Sequence, residues 1–263
     1  MSREKGALVY PVYSRRSRGL SVGINLFPDR KTCSFDCPYC EVFPFKSDQV
    51  FSLALMEEAL AEALAAAKEK GIVVKDICFS GNGEPTLSHD FTAALEAAFR
   101  IRDSVVPEAE LVLITNGTGL LEEALFDLLR LAAIRGLRIW LKLDAGTPEW
   151  YNAMYRSPIP FDRLTEKVRA FVKCAPVTLQ TMICAINGKP PPEDEAQAWE
   201  TLVAELAMTA AELRAVQVYG KARPAPEDPL ASAVQTDFLE VRAASLRAVL
   251  AAAGKDVPVR VYP

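Results

Sequence analysis

Three cysteines, Cys33, Cys37 and Cys40, stand close together near the start of the chain with the spacing CX3CX2C. Thiolates are preferred ligands of zinc and of iron–sulfur clusters. A structural zinc site usually has four protein ligands, but no fourth cysteine is near and the only histidine, His89, lies far along the chain. A cubane cluster held by three thiolates keeps one iron open for a small molecule. We therefore interpret this loop as a metal-cluster cradle; a zinc loop and three unrelated core cysteines remain the alternatives.

Length and composition favour a cytoplasmic globular protein. The chain has 263 residues, enough for one large α/β domain with a substantial core. It contains no apolar run near the ~18 residues that a membrane span requires, and no signal-peptide pattern follows Met1. Six cysteines do not make a disulfide framework in a chain of this size. A reducing compartment would also protect an open cluster.

The charge of the chain does not favour nucleic acid as a general partner. Its net charge is −4, so no overall field attracts a polyanion. Five cations nevertheless crowd the segment that leads into the cysteines, and Arg15 and Arg16 are the candidates to bind a carboxylate or phosphate of a substrate. The alternative is a solvated basic loop. The five cations are Arg15, Arg16, Arg18, Arg30 and Lys31.

Segments with strand and helix patterns alternate from about residue 20 onward. Such alternation implies parallel strands joined by right-handed crossovers, and six units suit an open, partial (β/α)6 barrel, because a complete eightfold barrel needs a longer chain. The predicted strands are 20–27, 73–80, 111–115, 138–143, 177–185 and 215–219, with a seventh strand or extended tail at 257–262. The predicted helices are 53–70, 91–103, 120–133, 164–173, 195–209 and 238–253.

We expect a single domain over 1–263. An N-terminal basic segment at 1–20 precedes the barrel in this division, and a C-terminal extension at 222–263 packs on it. No internal repeat or low-complexity block divides the chain.

A glycine-rich motif follows the second predicted strand, where ligands of parallel α/β folds bind. It reads Gly81-Asn82-Gly83-Glu84-Pro85. Its two glycines let the backbone approach a ligand closely, and the Glu84 carboxylate can accept a hydrogen bond from an ammonium group. The alternative is a simple turn with a solvated Glu84.

Polar residues follow or lie on the later strands. Asn116 after the third strand suits a cofactor contact or an Asx turn. Lys142 and Asp144 at the end of the fourth strand point the same way, since side chains alternate; Lys142 suits an anion, and an internal ion pair with Asp144 is the alternative. Gln180 and Met182 on the fifth strand are expected to face the barrel interior, and Gln180 is a candidate substrate contact there. On the sixth strand, the run Gln217-Val218-Tyr219 is a candidate adenine contact.

The remaining residues of reactive type have less specific surroundings. Cys78, Cys174 and Cys184 lie in or beside apolar segments, where a free cysteine usually packs in the core. His89 follows the glycine-rich motif and is either an acid–base group or, more commonly for such a position, a surface residue at a helix start.

These motifs together resemble the radical SAM (S-adenosylmethionine) superfamily, in particular the small single-cluster iron–sulfur oxidoreductases grouped with wyosine-synthase-like proteins. The resemblance rests on the cysteine loop with an aromatic Tyr39 before its last cysteine, on the glycine-rich motif, and on the strand end from Lys142 to Gly146. It implies a partial barrel and a [4Fe–4S] cluster on Cys33, Cys37 and Cys40, with SAM bound through the open iron.

The resemblance also implies roles for the strand-end residues. Glu84 would hold the methionine amine of SAM and Asp144 its ribose, and Lys142 would bind the SAM carboxylate or a substrate anion. The residues expected to contact SAM are Tyr39, Gly81, Asn82, Gly83, Glu84, Asn116, Lys142 and Asp144.

The implied reaction is reductive cleavage of SAM to a 5′-deoxyadenosyl radical, which abstracts hydrogen from a small-molecule or RNA-nucleotide substrate. The electron would come from a flavodoxin- or ferredoxin-type donor. One departure speaks against wyosine synthesis, because no cysteine precedes Cys33 to hold a second cluster. Two other functions stay open: an activating enzyme that generates a radical on a partner protein, and a non-enzymatic iron–sulfur carrier or sensor.

Overall fold

The computed structural model describes residues 3–223, 225 and 228–263. Helices and strands alternate through most of it. The helices are α1 (Arg3–Leu8), α2 (Leu53–Glu69), α3 (Phe91–Val105), α4 (Glu123–Arg135), α5 (Pro148–Tyr155), α6 (Phe161–Val172), α7 (Glu193–Thr209) and α8 (Thr236–Ala252). The strands are β1 (Val9–Ser14), β2 (Gly19–Ile24), β3 (Val74–Phe79), β4 (Glu110–Thr115), β5 (Leu137–Lys142), β6 (Val177–Ile186), β7 (Leu213–Gly220), β8 (Ala231–Ala233) and β9 (Val259–Tyr262).

The chain divides into two compact units, the first of which comprises residues 1–33, 44–115 and 135–138. Its strands lie in the order β1-β2-β3-β4. β1 is antiparallel to β2, whereas β2, β3 and β4 are parallel. Helix α2 begins as predicted, because the Ser52 hydroxyl accepts from the amide of Leu55, and Gly71 follows its end with a φ of +66°, the conformation typical of a helix stop.

The second unit comprises residues 34–43, 116–134 and 139–263. Strands β5, β6, β7 and β9 are parallel neighbours in that order, and β8 adds to β6 in the antiparallel sense. Nearly every residue of β6 is buried, as expected for a parallel strand covered on both faces. The register pairs Lys142 with Gln180 and Gln180 with Gln217, so three polar residues form one row across this unit.

Each predicted strand and helix is present, with bounds shifted by a few residues. An α/β fold with mostly parallel strands is therefore confirmed. Four of the α-helices and strands given above were not predicted: α1 and β1 within the basic segment, α5 after β5, and the three-residue β8. The C-terminal segment adds α8 and β9 to the second unit, with β9 paired to β7. The single-domain assignment remains a prediction. No helix within the described ranges combines the length and the apolar character needed to cross a membrane.

Candidate cofactor-binding site

The glycine-rich motif in the first unit is joined to the residue that precedes Cys33. The amide of Thr32 donates to the carbonyl of Asn82, and the amide of Glu84 donates to the carbonyl of Thr32, both at 2.9 Å. A Cβ on Gly83 would stand 1.7 Å from the Thr32 carbonyl oxygen. Only glycine therefore permits this approach, which brings two motifs about 50 positions apart into direct contact through their backbones.

Asn25, one residue beyond β2, fixes the other end of the motif. Its side-chain oxygen accepts from the amide of Asn82 at 3.1 Å, and the Asn82 side chain in turn donates to the carbonyl of Phe27 at 3.0 Å. A Cβ on Gly81 would stand 2.7 Å from the Asn25 side-chain oxygen. Asn25 was not among the predicted site residues, although it is a polar residue directly after a buried strand.

Glu84 is held in place by two threonines. It is 2% exposed, and its Oε1 accepts from the Thr86 amide at 3.2 Å, from the Thr86 hydroxyl at 2.7 Å and from the Thr115 hydroxyl at 2.8 Å. Thr115 is the last residue of β4. A buried carboxylate oriented at the ends of two strands excludes the alternative of a turn with a solvated glutamate.

The loop that carries Cys37 and Cys40 belongs to the second unit and packs on α5. The Cys40 amide donates to the Cys37 carbonyl at 3.0 Å, and the Asp36 amide donates to the carbonyl of Tyr155 at 2.9 Å. The ring of Phe35 stacks on that of Tyr155 with centroids 4.3 Å apart. Helix α5, which was missing from the prediction, thus contacts the cysteine loop directly.

Asp144 is a buried acceptor that joins this loop to the end of β5. Its side chain is fully buried. Its Oδ2 accepts from the Tyr39 hydroxyl at 2.5 Å and lies 3.2 Å from the Lys142 ammonium, while its Oδ1 accepts from the Met182 amide at 2.9 Å. The Asp144 amide donates to the hydroxyl of Tyr155 at 2.7 Å. The internal ion pair considered as an alternative is present.

Lys142 is a cation enclosed by acceptors and aromatic rings. Its Nζ donates to the Tyr219 hydroxyl at 2.5 Å and lies about 5 Å from the ring centres of Tyr39 and Tyr219. Burial alone would lower the pKa of Lys142, but Asp144, together with Tyr219 and Cys37, outweighs it and the net pKa is raised. Burial raises the pKa of Tyr39, and Asp144 raises it further. Lys142 therefore stays charged and Tyr39 stays a neutral donor.

A residue of α7, Glu195, also binds the segment that follows β5. Glu195 accepts from the amides of Gly146 and Thr147 at 2.7 and 2.9 Å and from the Thr147 hydroxyl at 2.5 Å. Thr147 in turn caps α5 by accepting from the amide of Trp150. Burial raises the pKa of Glu195 although these hydrogen bonds lower it. This buried carboxylate therefore fixes the segment from which α5 starts.

Asn116 forms the turn that was its second predicted role. Its Oδ1 accepts from the amide and hydroxyl of Thr118 at 3.0 and 2.8 Å, and its Nδ2 donates to the Ser34 hydroxyl at 3.0 Å. Ser34 directly follows Cys33 in the chain. A contact between Asn116 and a cofactor stays a prediction.

Gln180 and Gln217 pair across β6 and β7. Gln180 is 0% exposed, and its Nε2 donates to the Gln217 Oε1 at 2.7 Å. The Gln180 Oε1 has no hydrogen-bond partner within the described ranges. A buried acceptor without a partner is costly, which makes this position a candidate contact for a ligand donor.

Arg15 and Arg16 lie at the opposite end of β2 from the glycine-rich motif. They precede Gly19, where β2 starts, whereas the glycine-rich motif follows Phe79, which pairs with Ile24 at the end of β2. Six residues of strand span about 20 Å. In the first unit, therefore, these arginines lie away from the glycine-rich motif, and their role in binding a substrate anion stays a prediction.

The other reactive residues occupy ordinary positions. His89 has a side chain 90% exposed and pairs with Asp90, consistent with a surface residue at a helix start. Cys78 and Cys184 are buried, and burial raises the pKa of each thiol to about 12. Cys174 is partly exposed and donates to the carbonyl of Phe171. The packing role is confirmed for Cys78 and Cys184.

The cysteine loop has the donor set of an iron–sulfur cluster. None of its three cysteines is in a disulfide, and all are at least partly exposed. Among the residues that the structure describes, no three His, Cys, Asp or Glu side chains are grouped around a single point. A cubane cluster binds each thiolate through a different iron, so its ligands need not converge on a point.

Comparison with known proteins defines the class. Residues 30–196 match the family model of the radical SAM superfamily. This match covers more than half of the chain, which therefore belongs to that superfamily and is a radical SAM enzyme. Members of the superfamily use a [4Fe–4S] cluster and SAM, so both expected cofactors are confirmed.

Solved structures agree on the fold. A radical SAM methyltransferase from Sphaerobacter thermophilus matches 96% of this chain and 68% of its own, with a TM-score of 0.64 and 16% identity. Streptococcus suis SuiB bound to SAM matches 89% of this chain and 49% of its own, with a TM-score of 0.65 and 12% identity. Archaeal TYW1 matches 94% and 77%, with a TM-score of 0.51 and 11% identity. The predicted partial radical SAM barrel is thereby confirmed.

One curated relative shares part of the sequence. A UPF0026 protein of Helicobacter pylori (strain ATCC 700392 / 26695) is 35% identical over 89 residues, which are 33% of this chain and 29% of that protein. The match thus spans less than a third of the relative's length.

Proposed function

We propose that this enzyme cleaves SAM reductively and that the resulting 5′-deoxyadenosyl radical abstracts hydrogen from a small-molecule or nucleotide-type substrate. The observation that carries the proposal is Glu84, a buried carboxylate that Thr86 and Thr115 orient at the strand ends. A carboxylate fixed in this way is suited to hold an ammonium group, and SAM carries one. When bound, the cluster supplies the electron and SAM supplies the radical.

The side chains of this chain would then have distinct roles. Cys33, Cys37 and Cys40 hold the cluster, and their number leaves one iron for SAM. Gly81 and Gly83 keep the backbone accessible next to Glu84, because neither position tolerates a Cβ without a clash. The Glu84 carboxylate, which Thr86 and Thr115 hold in place, would accept a hydrogen bond from the methionine amine of SAM.

The remaining proposed contacts follow from position. Asn82 in the first unit and Tyr39 and Asn116 in the second each lie on a loop that follows a strand, and we keep each as a candidate SAM contact. Gln180 would accept from a substrate N–H, since its Oε1 has no partner in the described part of the chain.

The electron would come from a flavodoxin- or ferredoxin-type protein. The cysteine thiols are at least partly exposed, so a cluster on them would lie within reach of a donor at the surface. A reducing, cytoplasmic setting is proposed for the same reason, because exposed free thiols and an open cluster survive best there.

The test is SAM cleavage by the anaerobically reconstituted protein. With dithionite and SAM, we expect release of 5′-deoxyadenosine and loss of this product in Cys37→Ala. Cys174→Ala is the matched control, because Cys174 is also partly exposed but lies outside the motif; it should keep iron content and activity. An electron carrier would release no 5′-deoxyadenosine, and an activating enzyme would consume SAM only with a partner protein present. Either result would refute the proposed reaction.

A further inference from the structure

We propose that Asp144 and Lys142 act as positioning residues for the cysteine loop and set the charge beside its cluster, in place of binding the SAM ribose. The inference depends on the proposed cluster on Cys37 and Cys40. All of its contacts lie within the second unit, and none of them requires SAM to be present.

The Asp144 carboxylate already has hydrogen-bond partners within the protein. Both of its carboxylate oxygens accept from the protein: Oδ1 from the Met182 amide, and Oδ2 from the Tyr39 hydroxyl beside the Lys142 ammonium. The Asp144 carboxylate is therefore already engaged in three interactions within the protein. A ribose hydroxyl that displaced one of these donors would leave that donor without a charge-assisted hydrogen bond in a buried setting, which is among the more costly losses in a protein.

Tyr39 connects Asp144 and Lys142 to the cysteine loop. Tyr39 directly precedes Cys40 and is buried. Its hydroxyl donates a hydrogen bond to Asp144, and the centre of its ring lies 5.0 Å from the Lys142 ammonium. Asp144 and Lys142 thus contact both the tip and the face of the one aromatic side chain between the two cysteines, and they fix where the Cys40 backbone lies.

The Lys142–Asp144 ion pair also sets the net charge beside the proposed cluster. Lys142 and Asp144 form a nearly neutral pair with side chains 14% and 0% exposed. Removing one member leaves the other as an uncompensated buried charge. Net charge and hydrogen bonding near an iron–sulfur cluster change its reduction potential. Removing the lysine and removing the aspartate should therefore move the potential in opposite directions.

The redox experiment uses Lys142→Met and Asp144→Asn. We expect Lys142→Met, which leaves a negative charge, to lower the midpoint potential of the cluster, and Asp144→Asn, which leaves a positive charge, to raise it. The double variant should return close to the wild-type value. The measurement is a redox titration followed by EPR, with iron content checked for each variant. Shifts of the same sign, or no shift at full iron content, would overturn the electrostatic part.

The positioning part is tested on the protein without cluster, so its outcome does not depend on the proposed reaction. Tyr39→Phe removes the hydroxyl that donates to Asp144 and keeps the ring. In hydrogen exchange, we expect the amides of Asp36 and Cys40, which are hydrogen-bonded in the loop, to exchange about tenfold faster, a factor that corresponds to ~1.4 kcal/mol. Exchange in α7 should not change. Tyr13→Phe is the control, because the Tyr13 side chain is exposed. Unchanged loop exchange in both Tyr39→Phe and Asp144→Asn would refute positioning.

Discussion

Replacement of Gly83 by alanine tests whether the glycine-rich motif and the cysteine segment depend on each other. The added Cβ would stand 1.7 Å from the carbonyl oxygen and 2.5 Å from the carbonyl carbon of Thr32. Both atoms belong to the backbone, so no side-chain rotation relieves the clash. The two chain segments must separate, which lengthens or breaks the hydrogen bonds between Thr32 and the amide or carbonyl groups of Asn82 and Glu84.

The magnitude follows from these losses. Two backbone hydrogen bonds contribute roughly 1 kcal/mol each, and forced separation in a packed region costs about 1–3 kcal/mol. We expect Gly83→Ala to lower the free energy of unfolding by about 3–5 kcal/mol in total. For a chain of this size, that corresponds to a fall of about 6–20 °C in the melting temperature. The assay is thermal unfolding of the protein without cluster, monitored by circular dichroism.

Gly71→Ala provides the matched control. Gly71 also has a positive φ, +66°, but nothing lies within 4 Å of the position its Cβ would take. Only the backbone strain of a left-handed residue applies there, roughly 1 kcal/mol. Equal melting temperatures for the two variants would refute the close approach of Thr32 to Gly83, and with it the argument that this contact shapes the site.

Two further predictions concern buried carboxylates. Glu84→Gln keeps the Oε1 acceptor for Thr86 and Thr115 but removes the negative charge. We therefore expect an intact fold and a SAM affinity that is lower by roughly ten- to a hundredfold, as for a lost charge-assisted hydrogen bond. Anaerobic calorimetry measures this affinity. Glu195 has a pKa raised by burial above 4.5. The folded state thus binds its proton more tightly than the unfolded state, and wild type should lose stability relative to Glu195→Gln as the pH rises through this raised pKa, measured by urea unfolding without cluster.

Each of these variants has its own control and contrary outcome. The control for Glu84→Gln is Glu110→Gln, which alters an exposed carboxylate of the same unit that is paired with Arg138 and should leave SAM affinity unchanged. Equal affinities for Glu84→Gln and wild type would indicate that the glycine-rich motif is a structural turn that does not bind SAM. For Glu195, parallel pH profiles of variant and wild type would show that burial does not control its titration.

Strong local signals made most of the fold predictable. Helix α2 has a buried stripe at Met56, Leu60 and Leu64 between the cap Ser52 and the stop Gly71. The ten residues of β6 are almost wholly apolar or small, which is typical of a central parallel strand. By contrast β1 contains Pro11, a residue confined to strand edges and bulges, so its pattern did not predict a strand.

The site was only partly predictable, because distance along the chain differs from distance in space. Arg15 and Arg16 are close in sequence to the cysteines, but β2 intervenes and carries the chain to the opposite end of its sheet. Strand alternation correctly placed Lys142 and Asp144 on one face. It could not show that Tyr39 and the Met182 amide would supply donors to Asp144, since these come from distant parts of the chain.

Helix α5 was missed for a different reason. It has only eight residues, too few for a clear period of 3.6. Its start carried a usable signal, since Thr147 before Pro148 combines a preferred N-cap residue with the residue favoured at the first helical position.

The central claim is that one iron of the cluster has no protein ligand and binds SAM. EPR of the dithionite-reduced, anaerobically reconstituted protein before and after addition of SAM tests this most directly. We predict an iron–sulfur signal, absent from Cys37→Ala, whose shape changes when SAM is added. A signal that SAM leaves unchanged, or purified protein that contains zinc in place of iron, would contradict the account.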